Sequence, residues 1–491
     1  MSKSIDEARA EVKGLMARAQ AYADDGEPRS VAIAEAELWT MLLGIGRALM
    51  MLFLVRQAAR KRSAEYVHDG RRYRIDGGRT SELGTRFGKL SWWRPVGRLV
   101  GWQRRSVDLP IDRELGLGGG FSLGVIVAMG RRTAQMALAG AQDLFRETYE
   151  WAPSPRATLR MVDSLGERAR PFLNGAVVPE DDGDVLVIEV DGGGAPMISE
   201  AEYERRAQPR ESSSSPVKRH ERRARRRRNP QPRRTSGKKS KNSKVAVVAV
   251  IYTLRTTDQG MEGPIGKRIY ATFDSHDALF QWIEPLARQR GYGKKRTLFL
   301  ADGSEHIWRC QQKYFPAAEA CLDWYHAIEK IWGASTCLFK AGATEQKTWV
   351  DQMADHLRHG RPQMVITELR RRQLGTPKTG PGNKWRREQL DKSAKYLDDH
   401  LARLRYAEFR EHDWDIGSGA VEGAVRNLVR MRFDGPGMRW GRIRSERLLH
   451  LRCILLNGQW REFANHLASG PPVRLAAQPI PAEPYNAKAA A

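Results

Sequence analysis

Three acids in this chain stand where the strand or helix patterning changes. Asp191 closes the apolar run Val185-Leu186-Val187-Ile188-Glu189-Val190 and is followed by three glycines, Gly192 to Gly194. Asp302 closes the run from Arg296 through Leu300 and is followed by Gly303. Glu422 falls in the first turns of a helix opened by Gly417-Ser418-Gly419. If the two strands share a sheet, their ends bring three carboxylates together with the helix start. Such an oxygen-rich site suits hard divalent cations, Mg²⁺ or Mn²⁺. Without a cation the carboxylates would repel one another. Two ions about 3.5–4 Å apart can activate a water or a 3′-hydroxyl and stabilise the leaving oxygen of an in-line attack on phosphorus. A lone Asp-Gly after a strand is ordinarily a turn, and a Glu near a helix start ordinarily serves the helix dipole. The order and strand context of all three carry the reading. The glycines leave room beside each acid for backbone or substrate.

The surrounding patterning predicts the elements that must position these acids. Residues 245–254 and 265–273 read as strands, 276–289 as a helix, 296–300 as a strand and 320–324 as a fifth short strand. Residues 326–410 are mostly helical, broken by a Gly/Pro-rich stretch at 375–383. The fold class is therefore α/β, a mixed sheet with flanking helices and a helical insertion over 340–410. On the Glu422 helix, Arg426 and Arg430 recur at four-residue spacing. They can neutralise phosphates near the cations or pair with acids.

Upstream the chain is mainly helical. Residues 1–62 form a helical segment, 63–115 a small Gly/Arg/aromatic-rich β-element, and 116–178 a further helical region. Ser154 and Pro155 suit the cap and first turn of a helix. Arg156 and Arg160 lie near its start. Two helical segments before it make a helix-turn-helix for the major groove, or an ordinary bundle; the pattern permits both. The stretch 32–55 is the most apolar, but Glu35, Glu37 and Arg47 interrupt it, so a buried or dimer-packing helix is expected rather than a membrane span. The polar start, MSKSIDEARAE, lacks an apolar leader. Four cysteines without a CxxC pair exclude a disulfide scaffold and a zinc ribbon and fit a reducing cytoplasm.

Charge narrows the partner. The 491 residues carry 83 Lys or Arg against 58 Asp or Glu, a net +25. That surplus points to a polyanion, most simply nucleic acid, with an anionic membrane surface second; the resemblance given below narrows this to double-stranded DNA. About half of the surplus falls in an arm over 201–244, and the rest is spread along the chain. Residues 218–244 hold 14 Lys or Arg against one Glu, among them Arg222, Arg223, Arg225, Arg226, Arg227, Arg228, Arg233, Arg234, Lys238 and Lys239. Such a segment cannot pack a core and is expected to be disordered, binding phosphates through counterion release. The Pro/Ala-rich tail, 466–491, is also expected to be disordered.

Residues 185–465 resemble the catalytic region of bacterial insertion-sequence DDE transposases, with the ISKra-type family the nearest branch. The motifs are Val187-Ile188-Glu189-Val190-Asp191-Gly192-Gly193, Leu300-Ala301-Asp302-Gly303, Leu322-Asp323-Trp324-Tyr325-His326, and Ile416-Gly417-Ser418-Gly419-Ala420-Val421-Glu422. The resemblance implies an RNase H-like core with Asp191, Asp302 and Glu422 as catalytic metal ligands for two Mg²⁺ or Mn²⁺ ions. Asp323 and His326 resemble an auxiliary Asp-x-x-His signature, in which Asp323 competes with Asp302 for the second ligand position. It also implies binding of terminal inverted repeats, cleavage and strand transfer on element ends and target DNA. The bearer is expected to be a homo-oligomer on DNA, in the bacterial cytoplasm at the nucleoid, and not in a membrane. A domesticated binder without catalysis, or a nuclease without strand transfer, are the alternatives. The family normally has a shorter link where this chain has its basic arm.

The arm yields a direct expectation. Deleting residues 212–242 should flatten the slope of log affinity for duplex DNA against log salt, by roughly 0.9 for each phosphate the arm neutralises. Fluorescence anisotropy over a salt series measures it, and an unchanged slope would refute the role of the arm.

Overall fold

The computed structural model describes residues 3–101, 107–175, 178–198, 243–435 and 438–475. The Arg222-to-Lys239 basic residues therefore lie outside the described residues. The chain divides into two compact units. One comprises the described residues within Met1–Leu173 and Gly458–Pro481, the other those within Asn174–Asn457.

The first unit opens with two helices, α1 (Ile5–Asp24) and α2 (Val31–Ala58). Ser4 caps α1 in a capping box with Glu7, and Ser30 caps α2. A four-stranded antiparallel sheet follows: β1 (Glu65–His68), β2 (Arg71–Thr85), β3 (Gly88–Leu99) and β4 (Val107–Asp108), in that spatial order. Arg86 and Phe87 form the two-residue turn between β2 and β3, and Gly88 takes the positive φ that closes it. Leu54 of α2 packs with Leu83, Leu90 and Trp92 of this sheet. After α3 (Pro110–Glu114) come α4 (Leu123–Gln135), α5 (Leu138–Tyr149) and α6 (Pro155–Asn174). Ser154 does cap α6, accepting from the Ala157 amide.

Two sequence expectations are refined here. The stretch 32–55 is helical and partly buried: Leu43, Ala48 and Leu54 of α2 are buried, while Trp39, Leu42, Leu49 and Phe53 are each about half exposed. By length and composition α2 would also suffice to cross a membrane. The start of the expected loose tail is ordered. Ser164 of α6 donates to the Arg474 carbonyl, and Val473 is buried.

The second unit is an α/β fold around a five-stranded mixed sheet. Its strands are β5 (Val185–Pro196), β6 (Ser243–Thr257), β7 (Gly260–Thr272), β8 (Arg296–Ala301) and β9 (Glu319–Leu322), in the spatial order β7-β6-β5-β8-β9. β5, β6 and β7 pair antiparallel; β8 and β9 run parallel to β5. α7 (His276–Gln289) makes the crossover to β8, and α8 (Glu305–Tyr314) that to β9. α9 (Trp324–Ser335) follows β9 and leads into the helical insertion, α10 (Thr344–Arg358), α11 (Pro362–Gly375), α12 (Asn383–Asp399) and α13 (Tyr406–Glu411). α14 (Gly419–Val425) continues through a π-helical turn, Arg426–Arg430, to Phe433, and α15 (Arg442–Leu456) closes the unit. α16 (Trp460–Ser469) belongs to the first unit. The α/β unit thus stops at Asn457, short of the boundary at 465 read from the sequence.

The core is the set of buried, β-branched and aromatic side chains on the central strands. All six residues 185–190 are buried. Alternation sends Ile188 and Phe299 to the face covered by Phe280 of α7, and Glu189 and Gly193 to the face covered by α14.

At one end of this sheet Asp182 meets Arg290 at 2.7 Å and Lys295 at 3.1 Å, with the Asp182 and Arg290 side chains 9% and 7% exposed. Burial pushes the Asp182 carboxyl up, and the bonds from Arg290, Thr253 and Lys295 more than offset it, leaving it below the ordinary carboxylate range. A depressed folded-state value means the pair stabilises above about pH 4 and loses its effect as pH falls through that lower value. Asp182→Asn should destabilise the protein by about 3–5 kcal/mol at pH 7 by orphaning Arg290. The gap between parent and variant in urea melts should narrow in acid.

Candidate functional site

The register of the sheet sets three aspartates level with one another. The parallel pairing of β5 with β8 ends at Val190 and Ala301, so Asp191 and Asp302 occupy the next rung. The pairing of β8 with β9 ends at Ala301 and Leu322, which brings Asp323 to the same rung. Asp323 continues the ladder by donating its amide to the Ala301 carbonyl at 2.9 Å. Neighbouring strands lie about 4.8 Å apart, and residues on one rung point to one face. Asp191, Asp302 and Asp323 are therefore a row across three adjacent strands, on the face that α14 covers.

The sequence expectation for Asp191 needs one correction. It does not close β5. The strand runs on to Pro196 because β6 pairs with it through all three glycines, as far as Pro196 opposite Ser243. What ends at Val190 is only the parallel pairing with β8. Gly193 is small for a packing reason: a Cβ there would meet Val425 at 2.9 Å and Val429 at 3.1 Å. Gly303 likewise makes room for a side chain, with a Cβ falling 2.2 Å from the Tyr396 ring of α12.

Two buried carboxylates hold α14 against this row. Glu189, 1% exposed, accepts from the Val421 amide at 2.8 Å and from the Tyr252 hydroxyl at 2.7 Å. Asp323, wholly buried, accepts from the Ser418 amide and hydroxyl, both at 2.6 Å. Its other oxygen accepts from the His326 amide at 2.8 Å and bonds the His326 ring Nδ1 at 2.9 Å. The result is that Glu422, one residue after Val421, is exposed toward the row. One ligand atom each from Asp323, His326 and Glu422 lie within 4.8 Å of one another.

The electrostatics bind the cluster together. Burial pushes the Asp191 carboxyl up; the nearby Asp302 and Glu422 add to that, and the Gly192 amide and His326 oppose it. The Asp323 hydrogen bond holds the His326 imidazolium, raising its affinity for a proton, with Asp302 and Asp191 adding to it. Burial also pushes Asp323 up, but the bonds from His326 and Ser418 outweigh it, and its carboxyl lies low.

The group whose ligand atoms the structure gathers, Asp323, His326 and Glu422, is compatible with a divalent cation, and Asp191 and Asp302 stand on the same rung as Asp323. Both Asp323 oxygens are already engaged by His326 and Ser418. That makes Asp323 an organiser of the site more readily than an extra ligand. In the sequence Asp323 and Asp302 compete for one position, and the register explains why both stand at the end of an apolar run.

The arginines divide. Arg426 and Arg430 are exposed with Glu422. Their helix is π-wound there, and the buried Arg452 of α15 donates to the Asn427 carbonyl and, at 2.9 Å, to that of Leu428. π-turns of this kind are frequent at functional sites. In the first unit, α6 is buried around much of its circumference. Arg156 is exposed, while Arg160 donates to the Leu475 carbonyl at 3.2 Å.

No family model matches the chain, and no curated protein matches it. Among solved structures, the Drosophila P element transposase strand transfer complex is similar at 10% identity. The match covers 70% of this chain and 81% of that one, with a TM-score of 0.23. At that score the fold rests on the strand order itself.

Burial raises the Glu189 carboxyl to about 7, against the opposing bonds from Tyr252 and Val421. A carboxyl raised on folding stabilises fully below its unfolded value near 4.5, and that contribution is lost as pH rises through 7. Stability in a metal-free buffer should therefore fall between pH 5 and pH 8 by about 2–3 kcal/mol from this group. Glu189→Gln should remove most of that slope in urea melts; a variant with the parent's slope would place the titration elsewhere.

Proposed function

We propose that this protein is a DNA transposase of the DDE type with an RNase H-like catalytic unit. The observation that carries the reading is the row of Asp191, Asp302 and Asp323 on adjacent strands, facing a helix that presents Glu422. The antiparallel β7-β6-β5 half followed by parallel β8 and β9 supports the RNase H-like assignment. The net charge of +25 supports a nucleic-acid substrate.

Asp191, Asp302 and Glu422 would hold Mg²⁺ or Mn²⁺. The chemistry such ions supply is activation of a water or 3′-hydroxyl and stabilisation of the leaving oxygen. The chain's own residues supply position. Glu189 and Asp323 fix the first turn of α14, and so fix Glu422. Asp323 also orients His326, whose imidazolium can donate to a phosphate oxygen. Arg426 and Arg430 would contact phosphates of the DNA held over the row. The basic arm would track the backbone without reading sequence, and α4 to α6 would supply recognition of terminal repeats. Hydrolysis would free the 3′ ends of the element, and those hydroxyls would attack target DNA.

Asp191→Asn, Asp302→Asn and Glu422→Gln keep shape and remove charge. Each should lower Mg²⁺- or Mn²⁺-dependent nicking and joining of a labelled terminal repeat by at least about a thousandfold, and double variants should be little worse. Binding to the repeat should stay near that of the parent. Binding with no cleavage in the parent would favour a non-catalytic binder, and cleavage with no joining a nuclease. If Asp302→Asn cut normally, the second ligand would be Asp323.

A further inference from the structure

Asp302 is aimed by a turn. Pairing of β8 with β5 and with β9 ends at Ala301, so Asp302 and Gly303 leave the sheet on the way into α8. Across that turn the Asp302 carboxylate accepts from the Ser304 amide at 2.9 Å. The direction of the carboxylate therefore follows the path of the Gly303 peptide.

What meets Gly303 comes from the helical insertion. A Cβ there would fall 2.2 Å from the Tyr396 ring of α12 and 2.4 Å from its hydroxyl. The Gly303 backbone is a hydrogen-bond partner of Tyr396 and of His400, one helical turn further on. The two rings meet edge to face with centroids 4.9 Å apart. His400 is buried, and its Nδ1 accepts from Arg403 at 2.9 Å, which leaves the ring proton on Nε2. α12 is itself anchored: Leu390, Ala394 and Leu397 are buried, and Ser393 donates to the Lys330 carbonyl of α9 at 3.1 Å. The Lys330 ammonium lies 4.8 Å from the centre of the Tyr396 ring.

A side chain that only filled space would pack as well on a β-carbon as on bare backbone. Here the backbone is bare at the one residue between Asp302 and Ser304, and the ring that meets it sits on a helix held in place by other contacts. We propose that Tyr396 is a positioning residue for Asp302: by closing on Gly303 it fixes the turn that aims the Asp302 carboxylate, with His400 steadying the ring. The helical insertion then sets one member of the acidic row, as Glu189 and Asp323 set Glu422 through α14. This role rests on the reading of Asp302 as a cation ligand.

The probe is Mn²⁺ alone, added to the full chain without DNA, with free Mn²⁺ read by electron paramagnetic resonance. The parent should bind Mn²⁺, and Asp302→Asn should weaken that binding. Tyr396→Ala should weaken it by about tenfold to a hundredfold, the usual cost of losing a group that orients a ligand. Tyr396→Phe keeps the ring and should stay close to the parent. Gly303→Ala forces the ring away and should resemble Tyr396→Ala, and the double variant should be little worse than either, because all three remove one contact. Metal-free thermal melts by circular dichroism check folding; if Tyr396→Ala does not fold, Tyr396→Leu carries the test. A parent that binds no Mn²⁺, or an Asp302→Asn variant that binds as the parent does, overturns the cation reading and the positioning role with it. With those two as expected, unchanged affinity in the Tyr396 variant, or fully additive losses in the double variant, overturns the positioning role alone.

Discussion

The geometry of the acidic site depends on two buried carboxylates, Glu189 and Asp323, that bond the first turn of α14. Glu189 reaches from β5 to the Val421 amide, and Asp323 reaches from the end of β9 to the Ser418 amide and hydroxyl. Amides in a first helical turn have no partner within the helix. Supplying that partner from the sheet fixes both the start and the rotation of α14. Glu422 is then placed by the sheet and not by its own contacts. This also accounts for leaving ionisable groups in a dry core: they connect two elements that apolar packing alone would let slide.

The same arrangement concentrates negative charge. Three aspartates share one rung, Glu422 faces them, and Glu189 lies beneath. The protein offsets this with the His326 imidazole, with backbone donors, and by raising Asp191 and Glu189 toward their neutral forms. A site balanced in this way gains most from a bound cation, because the cation replaces several partial compensations at once.

Much of this was legible in the residues. The five apolar runs and their order specify the sheet, and Ser154 and the Gly417-Ser418-Gly419 turn mark helix starts. Three features were hidden for physical reasons. Three glycines read as a break, yet they continue β5 because Val425 and Val429 press on Gly193 and β6 supplies the hydrogen bonds. Asp323 reads as a rival of Asp302 because β9 has only four residues, too few for a sequence period to set its register. Apolarity in α2 leaves burial and packing against a partner open, because it does not say which side chains face inward; the fold buries Leu43, Ala48 and Leu54 and leaves Trp39, Leu42, Leu49 and Phe53 half exposed.

The basic arm leaves β5 after Pro196 and returns at Ser243, two residues directly opposite each other in the sheet. The two ends of the intervening segment are thus held a few ångströms apart by twelve paired rungs. For such a loop each doubling of length adds only about 0.6 kcal/mol of closure entropy. Its length and charge can therefore drift with little effect on the fold that anchors it. The root is also fixed on the carboxylate side of the sheet: Pro196 lies five residues beyond Asp191, or about 17 Å along the strand. If the arm binds a polyanion as proposed, its sequence would set how long that polyanion dwells beside the site without disturbing the site itself, leaving residence time and chemistry free to evolve separately.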